Sequence, residues 1–157
     1  MPESLADRSR AAFRADGPLA SGIPGFAPRP PQVRLSAAIG AAIDAGEALV
    51  AEAGTGTGKT YAYLVPALLS GLKVIVSTGT RALQDQLFHR DLPRVRAALG
   101  APIRSALLKG RANYLCLHRR DLARGEFGHH PTLARDFQQV LAWSGRADPD
   151  GNLFSFY

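Results

Sequence analysis

The sequence predicts an α/β domain with a parallel sheet, entered through an extended lead-in rich in proline and glycine. Three observations point there: short apolar runs without polar alternation recur along the chain, helix-forming stretches separate them, and a glycine-rich turn joins the first run to its helix. Continuous β-branched runs suit strands covered on both faces. Strands that alternate with helices give a parallel sheet with right-handed crossovers.

The elements follow in order. The first 32 residues hold Pro2, Pro18, Pro24, Pro28, Pro30 and Pro31 with Gly17, Gly22 and Gly25, which predicts a mostly extended lead-in. From Val33 to Ala45 the apolar residues Val33, Ala37, Ile39 and Ile43 share a helical stripe, with two prolines ahead and Gly46 behind. Ala48 to Glu52 predicts a short strand, and the helix-forming YAYLVPALL follows the glycine-rich turn. Lys73 to Ser77 (KVIVS) predicts a second strand. Thr80 stands where a helix N-cap belongs, ahead of RALQDQLFHR with Leu83 and Leu87 one turn apart. Pro93 is expected to break that helix, and a second short one to end at Gly100. Ile103 to Leu108 predicts a third strand, and Thr132 to Trp143 a last helix.

Composition narrows the class. The 157 residues carry 46% apolar and 20% charged side chains with a net charge of +6, the balance of one globular domain rather than a disordered chain. No apolar run approaches the roughly 20 residues a membrane-spanning helix needs, so a membrane protein is excluded. The charged start MPESLADRSR lacks a secretory pattern. A single cysteine, Cys116, forms no internal disulfide, and together these features favour a cytoplasmic location.

The strongest chemical signal is Ala53 to Thr60, AGTGTGKT, between a strand and a helix. Gly54, Gly56 and Gly58 permit backbone conformations that aim several N–H groups at one anion. The helix that follows adds its positive end. In such a loop, made by Ala53, Gly54, Thr55, Gly56, Thr57 and Gly58, Lys59 reaches the β- and γ-phosphates of ATP and the Thr60 hydroxyl ligates Mg²⁺. Ala53 replaces the first glycine of the general pattern, a form similar to that of superfamily 2 helicases.

Four segments together, PGFAPRPPQ, VAEAGTGTGKTYAYLVPAL, VIVSTGTRALQDQL and LLKGRANYLC, resemble in content and order the bacterial DinG/YoaA-type helicases, relatives of the XPD family. The resemblance runs from Ile23 to about His118. It implies a partial RecA-like P-loop NTPase domain, ATP-dependent 5′-to-3′ DNA unwinding and a role in repair and replication. It divides the chain into a lead-in with a Q-type motif (1–32), an ATP-binding motor portion (33–112) and the start of an iron–sulfur insertion region (113–157). It implies that Gln32 contacts the adenine, with Arg29 nearby; read without it, Gln32 suits equally a solvated residue before a helix. It implies DNA-backbone contacts at Ser77, Thr78, Thr80 and Arg81, residues that by themselves read as helix capping and a solvated arginine. It implies, finally, that Cys116 is one of four thiolate ligands to a [4Fe-4S] cluster in the intact family protein. With one cysteine the chain cannot assemble that cluster, and a small buried thiol is the expected state here. Cys116, His118, His129 and His130 have zinc-ligand chemistry, but their spacing matches no standard finger.

Ten Lys/Arg against three acids lie between Arg81 and Arg124, the footprint of a polyanion such as single-stranded or forked DNA. Tyr114, Phe127 and Phe137 have the chemistry to stack on bases, although such spacings also suit a core. Hydrolysis further needs a carboxylate for Mg²⁺ and a cation for the transition state. In the resembled family a DEAH-type box and a second motor domain supply them. Here Asp44 and Asp91 fall in helical contexts and Glu52 precedes the loop. The expectation is therefore the first part of a helicase, with weak nucleotide binding, nonspecific DNA affinity and negligible unwinding of its own. Two other classes fit the length or charge, a small P-loop kinase and a noncatalytic nucleic-acid-binding module.

Overall fold

The computed structural model describes residues 3–110, 114–126 and 131–144. The chain divides into two units, Met1–Ser105 and Ala106–Tyr157. In the first, α1 (Leu5–Ala12), α2 (Pro18–Gly22), α3 (Pro30–Ala45) and α4 (Lys59–Leu69) are followed by α5 (Arg81–Gln86), a π turn (Leu87–Asp91) and α6 (Leu92–Leu99). The second holds α7 (Leu117–Glu126) and α8 (Pro131–Ser144). Among the described residues no helix is long and apolar enough to cross a membrane.

Local chemistry explains most helix ends. Gly46 closes α3 at φ 65° and Gly100 closes α6 at φ 61°, left-handed positions that glycine adopts without steric cost. Thr80 caps α5, its side chain accepting the Leu83 N–H at 3.2 Å.

The lead-in is not extended. Ser4 caps α1 by accepting the Asp7 N–H, and Pro18 opens α2 at its first turn. Pro30 and Pro31 likewise begin α3, three residues earlier than Val33. The reason is positional: a proline lacks an N–H and has φ fixed near −65°, which breaks a helix interior but suits its first turn, where the N–H has no partner anyway. Pro93 is a second correction, because α5, the π turn and α6 run on without a break. The Leu92 N–H reaches back to the Leu87 carbonyl. The wider turn lies directly ahead of Pro93, which stands at the second position of α6 and has no N–H to donate back to it.

The expected parallel sheet is not confirmed. Residues 48–52, 73–77 and 103–108 are irregular rather than strands, and among the described residues no ladder forms. Val50 is 99% and Ile75 90% exposed. A parallel strand takes its hydrogen bonds from neighbours distant in sequence and needs both faces covered. Here α1, α3 and α4 pack on one another, and the apolar runs find no such neighbours.

The core of the first unit forms around α4. Leu64, Val65 and Leu68 meet Ala12 and Phe13 from α1 and its cap, Leu19 and Ile23 from α2 and its cap, and Leu87 and Val95 from the π turn and α6. Phe26 bridges this core to the start of α4, with ring centroids 6.1 Å from Phe13 and 5.8 Å from Tyr61, the latter pair stacked. Two polar contacts lock α1 in place. The Leu5 N–H donates to Asp44 Oδ2 on α3 at 2.8 Å, and Arg8 Nη1 donates to the last carbonyl of α4, that of Leu69, at 3.1 Å.

The α1/α3 crossing is closed by Gly40, where an added Cβ would lie 2.9–3.0 Å from backbone atoms of Leu5 and Ala6. In an exposed helix Gly→Ala gains roughly 1 kcal/mol; at this crossing the overlap with rigid backbone reverses the sign. Gly40→Ala should therefore destabilise the chain by about 1–3 kcal/mol, read as a lower urea midpoint.

Candidate nucleotide-binding site

The turn that enters α4 is shaped by its glycines. Gly56 has φ 73° and Gly58, the α4 N-cap, φ 80°. Both are left-handed positions that would strain a larger residue. The first amides of this 11-residue helix have no helical acceptor, and they face outward with the positive end of the helix dipole. A Cβ at Gly54 or Gly56 would meet nothing within 4 Å, so the turn is open on that side. Those free amides, the open cradle and a lysine at the helix start fit a polyphosphate.

Inside the turn the polar groups are ordered. Lys59 Nζ donates to the carbonyls of Ala53 at 2.6 Å and Gly54 at 2.9 Å, and Thr57 Oγ1 donates to the Gly54 carbonyl at 2.9 Å. Thr55 is exposed, and Thr60 is half-buried in the first turn of α4.

The lead-in grips this turn from outside. The Arg29 guanidinium donates to the Gly56 carbonyl, and Gln32 Nε2 donates to the Gly58 carbonyl at 3.0 Å. Gln32 is only 5% exposed, and a Cβ on Gly58 would overlap its amide. The solvated alternative for Gln32 is therefore set aside: it is buried against the loop.

Beside Lys59 and Thr60 opens a pocket of about 500 Å³ whose walls include Ile39 and Ile43 of α3, Leu49 and Tyr63. Burial raises the Tyr63 phenol above its ordinary pKa, the Asp91 carboxylate adds to that, and a hydrogen bond from Thr60 opposes it. Asp91 is itself buried, accepting from Gln86 Nε2 at 3.0 Å and Arg90 Nε at 2.9 Å. Asp44 is engaged by the Leu5 amide, while Glu52 is exposed ahead of the loop.

The residues expected to meet DNA sit around the start of α5. Ser77 and Arg81 are exposed, and Thr78 is half-buried. Thr80 Oγ1 is engaged as the α5 cap, although its own O–H remains able to donate. In the second unit Cys116 is exposed, which corrects the expected buried thiol: it lies on the approach to α7, none of whose residues is buried. Among the described residues no three His, Cys, Asp or Glu side chains gather to hold a metal. One exposed thiol does not fit a four-thiolate cluster. Arg111, Phe127, His129 and His130 lie outside the described residues, and so therefore does the zinc alternative.

Sequence reasoning missed two features, the hold of the lead-in on loop carbonyls and the place of Tyr63. The signal for the second is its position three residues after Thr60, which puts both on one face of α4.

Comparison with known proteins places these observations. A family model described as DEAD/DEAH box helicase matches residues 34–114. The ATP-dependent DNA helicase YoaA of Escherichia coli (strain K12) is 51% identical over 142 residues, covering 90% of this chain and 22% of the relative. The ATP-dependent helicase DinG of Mycobacterium tuberculosis (strain H37Rv) is 42% identical over 135 residues, covering 72% and 20%. The 3'-5' exonuclease DinG of Bacillus subtilis (strain 168) is 34% identical over 125 residues, covering 77% and 13%. The chain thus spans about a fifth, or less, of the length of these curated relatives. No solved structure matches it.

Proposed function

The chain belongs to the DEAD/DEAH box helicase family, and from that premise we propose that it is the ATP-binding portion of a DinG/YoaA-type DNA helicase that unwinds 5′ to 3′ in repair and replication in the cytoplasm. The observation that carries this reading is the turn at 53–60, which offers free helix amides, an open side and Lys59 at one point. The YoaA and DinG relatives named as ATP-dependent helicases match this same stretch.

The division of labour within the site follows from its chemistry. The amides of Gly56 to Thr60 and the Lys59 ammonium bind the phosphates, and Lys59 exchanges the carbonyls of Ala53 and Gly54 for phosphate oxygens. Gln32 keeps one amide hydrogen and its oxygen to meet the adenine while its other hydrogen stays on Gly58. The Thr60 hydroxyl would hold Mg²⁺, which when bound offsets charge on the β- and γ-phosphates. Ser77, Thr78, Thr80 and Arg81 take DNA phosphates, of single-stranded or forked DNA, at the start of α5. In a longer protein of this type the runs at 48–52, 73–77 and 103–108 would pair in a RecA-like sheet, and Cys116 would be one of four thiolates holding a [4Fe-4S] cluster, the other three coming from sequence outside these residues.

Two measurements test this reading. By calorimetry the chain should bind Mg·ATP, and Lys59→Ala should weaken binding at least tenfold, a loss of about 1.4 kcal/mol or more. An unaltered affinity would leave a noncatalytic module, and phosphorylation of a small acceptor would favour the kinase instead. Fluorescence anisotropy with single-stranded DNA should show affinity that falls steeply with salt. Arg81→Ala should lower it and reduce the salt slope by about one contact; an unchanged slope would remove Arg81 from the interface.

A further inference from the structure

We infer that Arg29 and Gln32 are positioning residues for the phosphates, setting the direction of the loop amides, and are not only readers of the base. The inference rests on the nucleotide-binding reading above and deepens it.

In a trans peptide a carbonyl and the N–H that follows it point in opposite directions. Arg29 holds the Gly56 carbonyl toward the lead-in, and Gln32 holds the Gly58 carbonyl the same way. The Thr57 and Lys59 N–H groups therefore point away from the lead-in. Gly56 and Gly58 are the two positive-φ positions of this turn, where a flexible backbone has most freedom to turn its peptides over. Without a partner on those oxygens either peptide can rotate and bring a carbonyl, rather than an amide, toward an incoming anion.

The two holds differ in rigidity. Gln32 is buried on the first turn of α3, and the Gly58 carbonyl also accepts the Ala62 N–H at 3.2 Å, so this peptide is fixed from two sides. The Gly56 carbonyl is held by the exposed Arg29, the N-cap residue of α3. Arg29 is thus the more adjustable of the pair, and its removal leaves the core untouched.

The test separates base from phosphate. Calorimetry on the full chain compares Mg·ATP with inorganic tripolyphosphate, which has no base to read. Arg29→Ala should weaken both ligands by a similar factor, about tenfold, and Gln32→Ala should weaken both by a smaller one, because the Ala62 N–H still holds the Gly58 carbonyl, with Arg29→Lys restoring most of the loss and the melting temperature of Arg29→Ala unchanged. Should Gln32→Ala fail to fold, Arg29→Ala decides alone. Weaker ATP binding with unaltered tripolyphosphate binding would mean that the pair reads only the adenine and would overturn the inference, as would no change in either ligand. If the wild-type chain bound neither ligand and Lys59→Ala made no difference, the nucleotide-binding reading would fall, and this inference with it.

Discussion

Two carbonyl oxygens of the glycine-rich turn, those of Gly56 and Gly58, are tied to side chains 27 and 26 residues earlier in the chain. Much of the first unit serves that connection. The Arg29 and Gln32 side chains are placed by the start of α3, whose register is set by the prolines at its first turn and by Gly46 at its end. The helix is held in turn by α1, through the close approach at Gly40 and the contact between the Leu5 amide and Asp44. The other half of the connection is α4, which carries Lys59 and Thr60 at its start and the buried Leu64, Val65 and Leu68 behind them. A loop that would otherwise sample many shapes is thereby fastened to a packed helical core.

That arrangement gives the lead-in a physical purpose. The segment rich in proline and glycine wraps the core with Phe13, Leu19, Ile23 and Phe26 and delivers two donors to one face of the loop. The opposite face keeps its amides free. Fixing the polar groups before the ligand arrives lowers the ordering cost of binding and makes the site's directionality a property of the fold. The buried Asp91 and half-buried Tyr63 extend the same logic toward Thr60 from the π turn.

Much of this was legible in the residues, and the remainder was hidden for definable reasons. Features governed by near neighbours were readable: the Thr80 cap, the glycine ends at Gly46 and Gly100, and the turn at 53–60 before a helix. Prolines were misread where their effect depends on position, as at Pro18, Pro30 and Pro93, since one residue can break a helix or begin it. The apolar runs at 48–52 and 73–77 have the composition of buried strands, but pairing is a property of partners far away in the chain, which composition does not specify. Gln32 shows the same limit at a site. Its amide chemistry was visible from its type, while its attachment to Gly58 needed the fold that brings α3 to the loop.

The most direct measurement of this account is the amide spectrum of the chain as Mg·ATP is added, recorded by two-dimensional NMR. The account predicts the largest shifts at the amides of Gly56 to Thr60, accompanied by the side-chain resonances of Arg29 and Gln32, with the interior of α1 unmoved. Saturating nucleotide that left residues 56–60 unshifted, or shifted residues remote from this loop instead, would contradict it.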